Sequence, residues 1–264
     1  MPKRYSIKRK EKDNSSKEVI KKPASDQYHL VGCIVCGKDL IYAEQAISRP
    51  CSICGQIFET RVYCEDGHFV CDVCHSASKS DVKWFLRHTF EKDPIKILLH
   101  VFEMEKVHMH GPEHHSIVPG VLVTAYRNNG GEIDYEKALE LAFERGSQVP
   151  GGYCGYWGAC GAAVGAGIYA CIVLDGSPLK KDTWNYPQQV TARCLDAMTA
   201  IGGPRCCKRV SRLAIEVTVE WTKEYLGVTM PMSYPECTYY ERNRECIHND
   251  CPFFGRPDGL EQEA

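Results

Sequence analysis

Near the start of the chain stand seven cysteines and one histidine in pairs. Cys33-x2-Cys36-Gly is followed by Cys51-x2-Cys54-Gly, and then by Cys64, His68, Cys71 and Cys74 in C-x3-H-x2-C-x2-C spacing. Thiolates and imidazoles so spaced are ligands for tetrahedral zinc, and eight of them suffice for two ions. A tight turn aims both thiolates of a pair at one ion, and the glycine beyond it tolerates a left-handed backbone. Sequential pairing would put Cys33, Cys36, Cys51 and Cys54 in a zinc ribbon, leaving Cys64, His68, Cys71 and Cys74 for the second ion. A cross-braced module would instead join Cys33/Cys36 to Cys64/His68, and Cys51/Cys54 to Cys71/Cys74. The sequential pairing is preferred here. In either case two structural zinc ions are expected to fold a segment too short to build its own core.

A second thiol group lies far downstream. Cys154 follows Gly151-Gly152-Tyr153, and Cys160 precedes the uncharged run GAAVGAGIYACIVL. Cys206 and Cys207 follow Gly202-Gly203-Pro204-Arg205 and precede Lys208 and Arg209. Both runs place thiols at or near a predicted helix start, with Cys160 in the first turn of a helix from about Gly158. Free N–H groups and the helix dipole there favour a thiolate, and so do the cations flanking Cys206. The expectation is one buried site holding Cys154, Cys160, Cys206 and Cys207, with Cys160, Cys206 and Cys207 as its reactive thiols. Cys171 and Cys194 fit apolar stripes and read as core.

The C-terminal run Cys237-x8-Cys246-x4-Cys251-Pro252 is a third thiol group. Cysteine followed by proline is familiar from iron–sulfur ligation. Three thiols with an open fourth position suit a four-iron cluster, as does completion by a thiol from elsewhere. A loop pinned by structural zinc is the other reading. Between the first two groups lies His108-Met109-His110-Gly111-Pro112-Glu113-His114-His115. His108 and His110 alternate as extended metal ligands would. His114 and His115 are candidates for acid–base work near neutral pH.

These groups need elements to position them. Asp81 can cap a helix through Trp84 and Phe85. Pro94 starts another with Ile95, Ile97, Leu98, Val101 and Phe102 apolar. Helical spacing recurs in 134–145, ended by Gly146. It is clearest after Cys206, where Val210, Leu213, Ala214, Val217, Trp221 and Tyr225 form one stripe. Lys208, Arg212, Glu216, Glu220 and Lys223 lie off that stripe. Strand-like alternation is scarce outside the cysteine module. The fold class expected is mainly α, with a small zinc-ribbon-like or cross-braced module before a helical main domain. Four segments follow: a disordered basic tail over 1–28, the two-zinc module over 29–78, the helical cysteine/histidine domain over 79–235, and a cysteine-containing segment over 236–264.

Composition narrows the function classes. The chain has 264 residues, 44% hydrophobic and 25% charged, with net charge -2, so there is no overall basic signature for nucleic acid. Residues 1–27 hold nine basic and four acidic side chains and almost nothing apolar. Such a tail stays solvated, and weak nucleic-acid contact is its alternative use. No secretory signal is evident. The uncharged run Gly155–Leu174 is diluted by glycines and reads as a core helix rather than a membrane span. Sixteen cysteines without a signal point to a reducing cytoplasm.

The strings MHGPEHHSIVPGVLVTAYRN, GGYCGYWGACGAAVGAG and GGPRCCKR resemble domain of unknown function 5714, a family of anaerobic prokaryotes, over roughly 30–255. That resemblance implies an anaerobe's cytoplasm and no particular activity. The CGAAVG core also resembles the C-GCAxxG-C-C putative redox proteins. The expected function is an iron–sulfur or thiol-based redox or sulfur-transfer protein of anaerobic metabolism, acting with a redox or sulfur-transfer partner. A non-enzymatic cluster carrier or zinc-stabilised adaptor, and a zinc-ribbon nucleic-acid-binding factor, are the alternatives.

Overall fold

The structure is a computed structural model that describes residues 33, 35, 38–53, 55–71 and 81–255. The basic tail, Cys36, Cys54, Cys74, Ser80 and everything beyond residue 255 lie outside the described residues.

The only strands among the described residues form one antiparallel hairpin, β1 (Leu40–Pro50) and β2 (Ile57–Cys64). Leu40 pairs with Cys64 at one end and Pro50 with Ile57 at the other, with an irregularity between Tyr42 and Ile47. This hairpin overturns the sequential ligand pairing. Cys33 precedes β1 and Cys51 follows it, so they lie toward opposite ends of a ladder whose shorter strand, β2, spans about 23 Å at about 3.3 Å per residue. The Leu40–Cys64 pairing brings the Cys33 turn to Cys64. At the far end the Cys71 N–H donates to the Cys51 Sγ at 3.4 Å. The described residues therefore follow the cross-braced order.

The rest is helical. The helices are α1 (Val82–His88), α2 (Pro94–Phe102), α3 (His114–Asn128), α4 (Tyr135–Ser147), the single turn α5 (Tyr153–Tyr156), α6 (Gly161–Val173), α7 (Asn185–Ile201) and α8 (Cys207–Leu226). The cap read from sequence at Asp81 is present, and two more aspartates do the same work. Asp81, Asp93 and Asp134 accept N–H groups of the first turns of α1, α2 and α4, satisfying donors that a helix start leaves open. Trp84 links the modules, packing against both the helical core and the Cys51–Ile53–Cys71 cluster.

Helices α3 and α6 form the centre. α3 is buried continuously from His114 to Tyr126, and α6 buries Ala162, Ala163, Ala166, Tyr169 and Ala170. Small residues let the backbones meet. Pro119, inside α3, has no N–H to give the His115 carbonyl, its normal helical partner. That carbonyl is met by two glycines instead. The place for a Cβ on Gly146 lies 2.7 Å from it, and the place on Gly165 lies 3.1 Å away. Gly146 was expected to end α4. It is retained within the helix because α4 touches α3 there, its Cβ position falling 2.6 Å from the Ser116 Cα. Gly146→Ala is accordingly expected to destabilise the fold by about 2 kcal/mol, because overpacking against backbone outweighs the ~1 kcal/mol gain in helix propensity. Urea unfolding of the two proteins checks the sign.

α8 carries the predicted stripe, with Leu213, Ala214, Val217 and Trp221 buried. Its other face is covered too. The segment after α8 folds back over it through two short 3-10 turns, Tyr240–Arg242 and His248–Asp250, and anchors with Tyr239 and Phe253. Lys208 and Arg212, read as solvated, are each 2% exposed beneath it. None of the helices among the described residues is long and apolar enough to cross a membrane.

Candidate functional site

The start of α8 divides two thiol sites. Cys206 is the extended N-cap residue, φ −142° and ψ 105°, and Cys207 is the first helical residue. Neighbours across such a boundary point different ways. Cys206 faces the C-terminal segment, and Cys207 faces α3 and α6. The single pocket expected from sequence is thus two cavities separated by one peptide bond.

The first cavity is small, about 20 Å³ counted as room for the centre of a water molecule. Cys206, Cys237, Cys246 and Cys251 all line it. Cys206 thus shares a cavity with the three thiols of the C-terminal run. Amide N–H groups are directed at these sulfurs. The Arg209 N–H and the Asn243 Nδ2 donate to the Cys206 Sγ at 3.4 and 3.5 Å, and the His248 N–H donates to the Cys246 Sγ at 3.4 Å. Lys208, Arg209 and Arg212 also line the cavity, and no carboxylate does. Rings and carbonyls are among the partners of these cations. The Lys208 ammonium sits 4.1 Å from the Phe102 ring centroid, and the Arg212 guanidinium 4.0 Å from that of Phe253. Arg209 donates to the Gly202 and Pro204 carbonyls, holding the loop that leads to Cys206. Burial pulls Lys208 down to about 8 and pushes the Cys206 and Cys237 thiols up. An anionic centre bonded to the sulfurs would reverse both effects, since each reflects charge taken out of water.

The second cavity is an open cleft of about 340 Å³ lined by Cys154, Cys160, Cys207, His114, His115 and Arg205, among others. Cys154 is exposed on α5, and Cys160 is the N-cap of α6, which begins at Gly161 rather than Gly158. Burial raises the Cys160 and Cys207 thiols, opposed by the Ala162 and Ala163 amides at Cys160 and by the Gly111 amide at Cys207. The activated thiolates expected from the flanking cations are therefore not favoured, because loss of water around the sulfurs outweighs the helix amides and the neighbouring positive charge. His115 lies against Gly161, where any Cβ would come within 2.3 Å of its Nε2, and its Nδ1 donates to the Val149 carbonyl at 2.9 Å. His114 is 1% exposed, and its Nδ1 donates to the Gly111 carbonyl at 3.2 Å. Burial, reinforced by the Lys208 charge, lowers its pKa to about 3, so the ring is neutral.

The other two histidines part company. The His108 Nδ1 is bound to Glu113 at 3.2 Å on the surface. The His110 Nδ1 accepts the Cys207 N–H at 3.5 Å, and its Nε2 donates to Asn243 Oδ1 at 3.1 Å and to Glu245 Oε2 at 3.2 Å. Both nitrogens of His110 are engaged, so the pair does not present a shared metal site. Sequence reading missed Asn243 and Arg212, and it placed Lys208 beside the thiols without seeing that it would be buried. No motif marks an isolated asparagine, and the two cations read as a polar helix face.

In the N-terminal module the ligand atoms of Cys33, Cys64 and His68 lie within 4.8 Å of one another. No other three thiol, imidazole or carboxylate groups among the described residues meet that condition. Tetrahedral zinc with 2.3 Å Zn–S bonds sets sulfurs about 3.8 Å apart, so this trio fits the ion. Cys51 and Cys71 form the described half of the second position, and Cys54 and Cys74 lie outside the described residues.

A family model matches residues 82–254, more than half of the chain. The chain belongs to the Family of unknown function (DUF5714). The DUF5714 match begins at α1 and ends just past Cys251, so it takes in both thiol cavities and leaves out the hairpin module. No curated protein and no solved structure matches. Likeness to the C-GCAxxG-C-C proteins is not among what these comparisons show.

Proposed function

We propose that this protein is an iron–sulfur redox protein. Cys206, Cys237, Cys246 and Cys251 would hold the cluster, and the neighbouring cleft would host thiol chemistry on a small substrate. One observation carries the reading: four thiols share a cavity whose charged lining is entirely cationic. A cluster with four thiolates is anionic overall, and Lys208, Arg209 and Arg212 would offset that charge where the site is buried. A cluster there would exchange single electrons, at a potential set by hydrogen bonds to its sulfurs and by burial.

The chain's own residues divide the remaining work. Cys207 and Cys160, with the exposed Cys154, would present their thiols to the substrate in the cleft. His114 and His115 are each held by an Nδ1–H on a backbone carbonyl at the cleft wall, and burial keeps the His114 ring neutral. Arg205 offers a positive charge for an anionic substrate. A cleft of this size beside the cluster supports a redox enzyme over a simple cluster carrier. In the N-terminal module, zinc held by Cys33, Cys64 and His68 would be structural.

Anaerobic purification followed by iron, acid-labile sulfide and zinc counts tests the reading. The expected result is a brown protein with about four irons and four sulfides per chain beyond its zinc. A colourless protein containing zinc alone would sink it.

A further inference from the structure

Asn243 and His110 join the two cavities by hydrogen bonds that all run in one direction. The Cys207 N–H donates to His110 Nδ1 at 3.5 Å, His110 Nε2–H donates to Asn243 Oδ1 at 3.1 Å, and Asn243 Nδ2–H donates to Cys206 Sγ at 3.5 Å. The orientation of each group is fixed by its neighbours. Asn243 Oδ1 also accepts the Glu245 N–H at 3.2 Å, so this side of the amide must be the oxygen and the nitrogen must face the sulfur. His110 can accept at Nδ1 only in the tautomer that carries its proton on Nε2, and that proton is shared between Asn243 and Glu245 Oε2. Asn243 is 6% exposed, so solvent does not substitute for these partners.

We infer that Asn243 and His110 are positioning residues that couple the charge on the Cys206 sulfur to the Cys207 side of the cleft. The inference rests on the cluster reading of the first cavity. Donors to a ligating sulfur stabilise the more negative, reduced state and so raise the potential. Bonds linked head to tail polarise one another, so an electron arriving at the Cys206 sulfur strengthens the Asn243 bond, and with it the pull of His110 on the Cys207 amide. The cleft is thereby made sensitive to the oxidation state next door without any ligand contact between the two.

The test is a redox titration, followed by electron paramagnetic resonance, of the anaerobically purified full chain and of Asn243→Leu, His110→Phe and His110→Gln. Asn243→Leu removes the donor and should lower the reduced-to-oxidised ratio at a fixed potential at least severalfold, with iron content retained. His110→Phe should shift it the same way by less. His110→Gln, which can still donate to Asn243, should recover most of the wild-type value. The alkylation rate of Cys207 should differ between oxidised and reduced wild-type protein, and that difference should shrink in Asn243→Leu. Unchanged midpoints in iron-replete Asn243→Leu and His110→Phe would overturn the coupling. If Asn243→Leu loses its iron, His110→Phe decides on the same criterion. Wild-type protein without iron would instead overturn the cluster reading.

Discussion

Cys206→Ala is expected to strip the protein of the proposed cluster's iron and visible absorption, whereas Cys207→Ala is expected to leave both in place. The two residues share a peptide bond, the same flanking glycines and the same cationic neighbours, so no effect of local charge separates them. What separates them is their position at the start of α8. Cys206, as the N-cap, faces Cys237, Cys246 and Cys251, and Cys207, in the first turn, lines the cleft with Cys154 and Cys160. Losing one of four ligands should lower cluster occupancy by more than the ~10-fold cost of a lost outer partner. Iron and sulfide assays on the two variants, beside Cys251→Ala as a second ligand change, provide the measurement. Equal loss in Cys206→Ala and Cys207→Ala would place the cluster in the cleft instead.

Acid is expected to weaken the wild-type helical domain more than it weakens His114→Asn. In the fold the His114 ring stays neutral down to about pH 3, because it is buried and lies near the Lys208 ammonium. In the unfolded chain an ordinary histidine takes a proton near pH 6.5. Between those values the unfolded state binds one more proton than the native state, so stability falls as the pH falls. The contribution is fully present above about pH 6.5 and is lost at about 1.4 kcal/mol per pH unit below it. Between pH 7 and pH 4 this amounts to about 3 kcal/mol. Asparagine can keep the hydrogen bond to the Gly111 carbonyl while removing the titration, so the difference between the two proteins isolates this ring from metal release at low pH. Urea midpoints measured across that range should converge toward acid, and parallel curves would show that the ring takes its proton without unfolding.

Much of the architecture was legible because it rests on local chemistry. The aspartate caps, the apolar stripe of α8 and the uncharged α6 are written in short windows of sequence. Family membership was legible in the strings around His108, Cys160 and Cys206. The order of the N-terminal ligands was not, since it depends on the length of β1, which carries Cys51 away from Cys33. The division of labour between Cys206 and Cys207 needed the location of the helix start to within one residue. Lys208 and Arg212 were hidden for a different reason. Their spacing on α8 is that of a solvated face, and only the returning C-terminal segment buries them. Asn243, in that same segment, gains its meaning from His110, 133 residues earlier.

The hairpin has a bearing on how the chain is made. Cys33 emerges from the ribosome well before Cys64 and His68, the partners it meets across β1 and β2. An ion captured early by the first cysteine turn alone would have half a coordination shell, and it could not be enclosed until the second strand had been synthesised and turned back. Metal loading and strand pairing would then be a single late event during translation, with each half of the module waiting on the other.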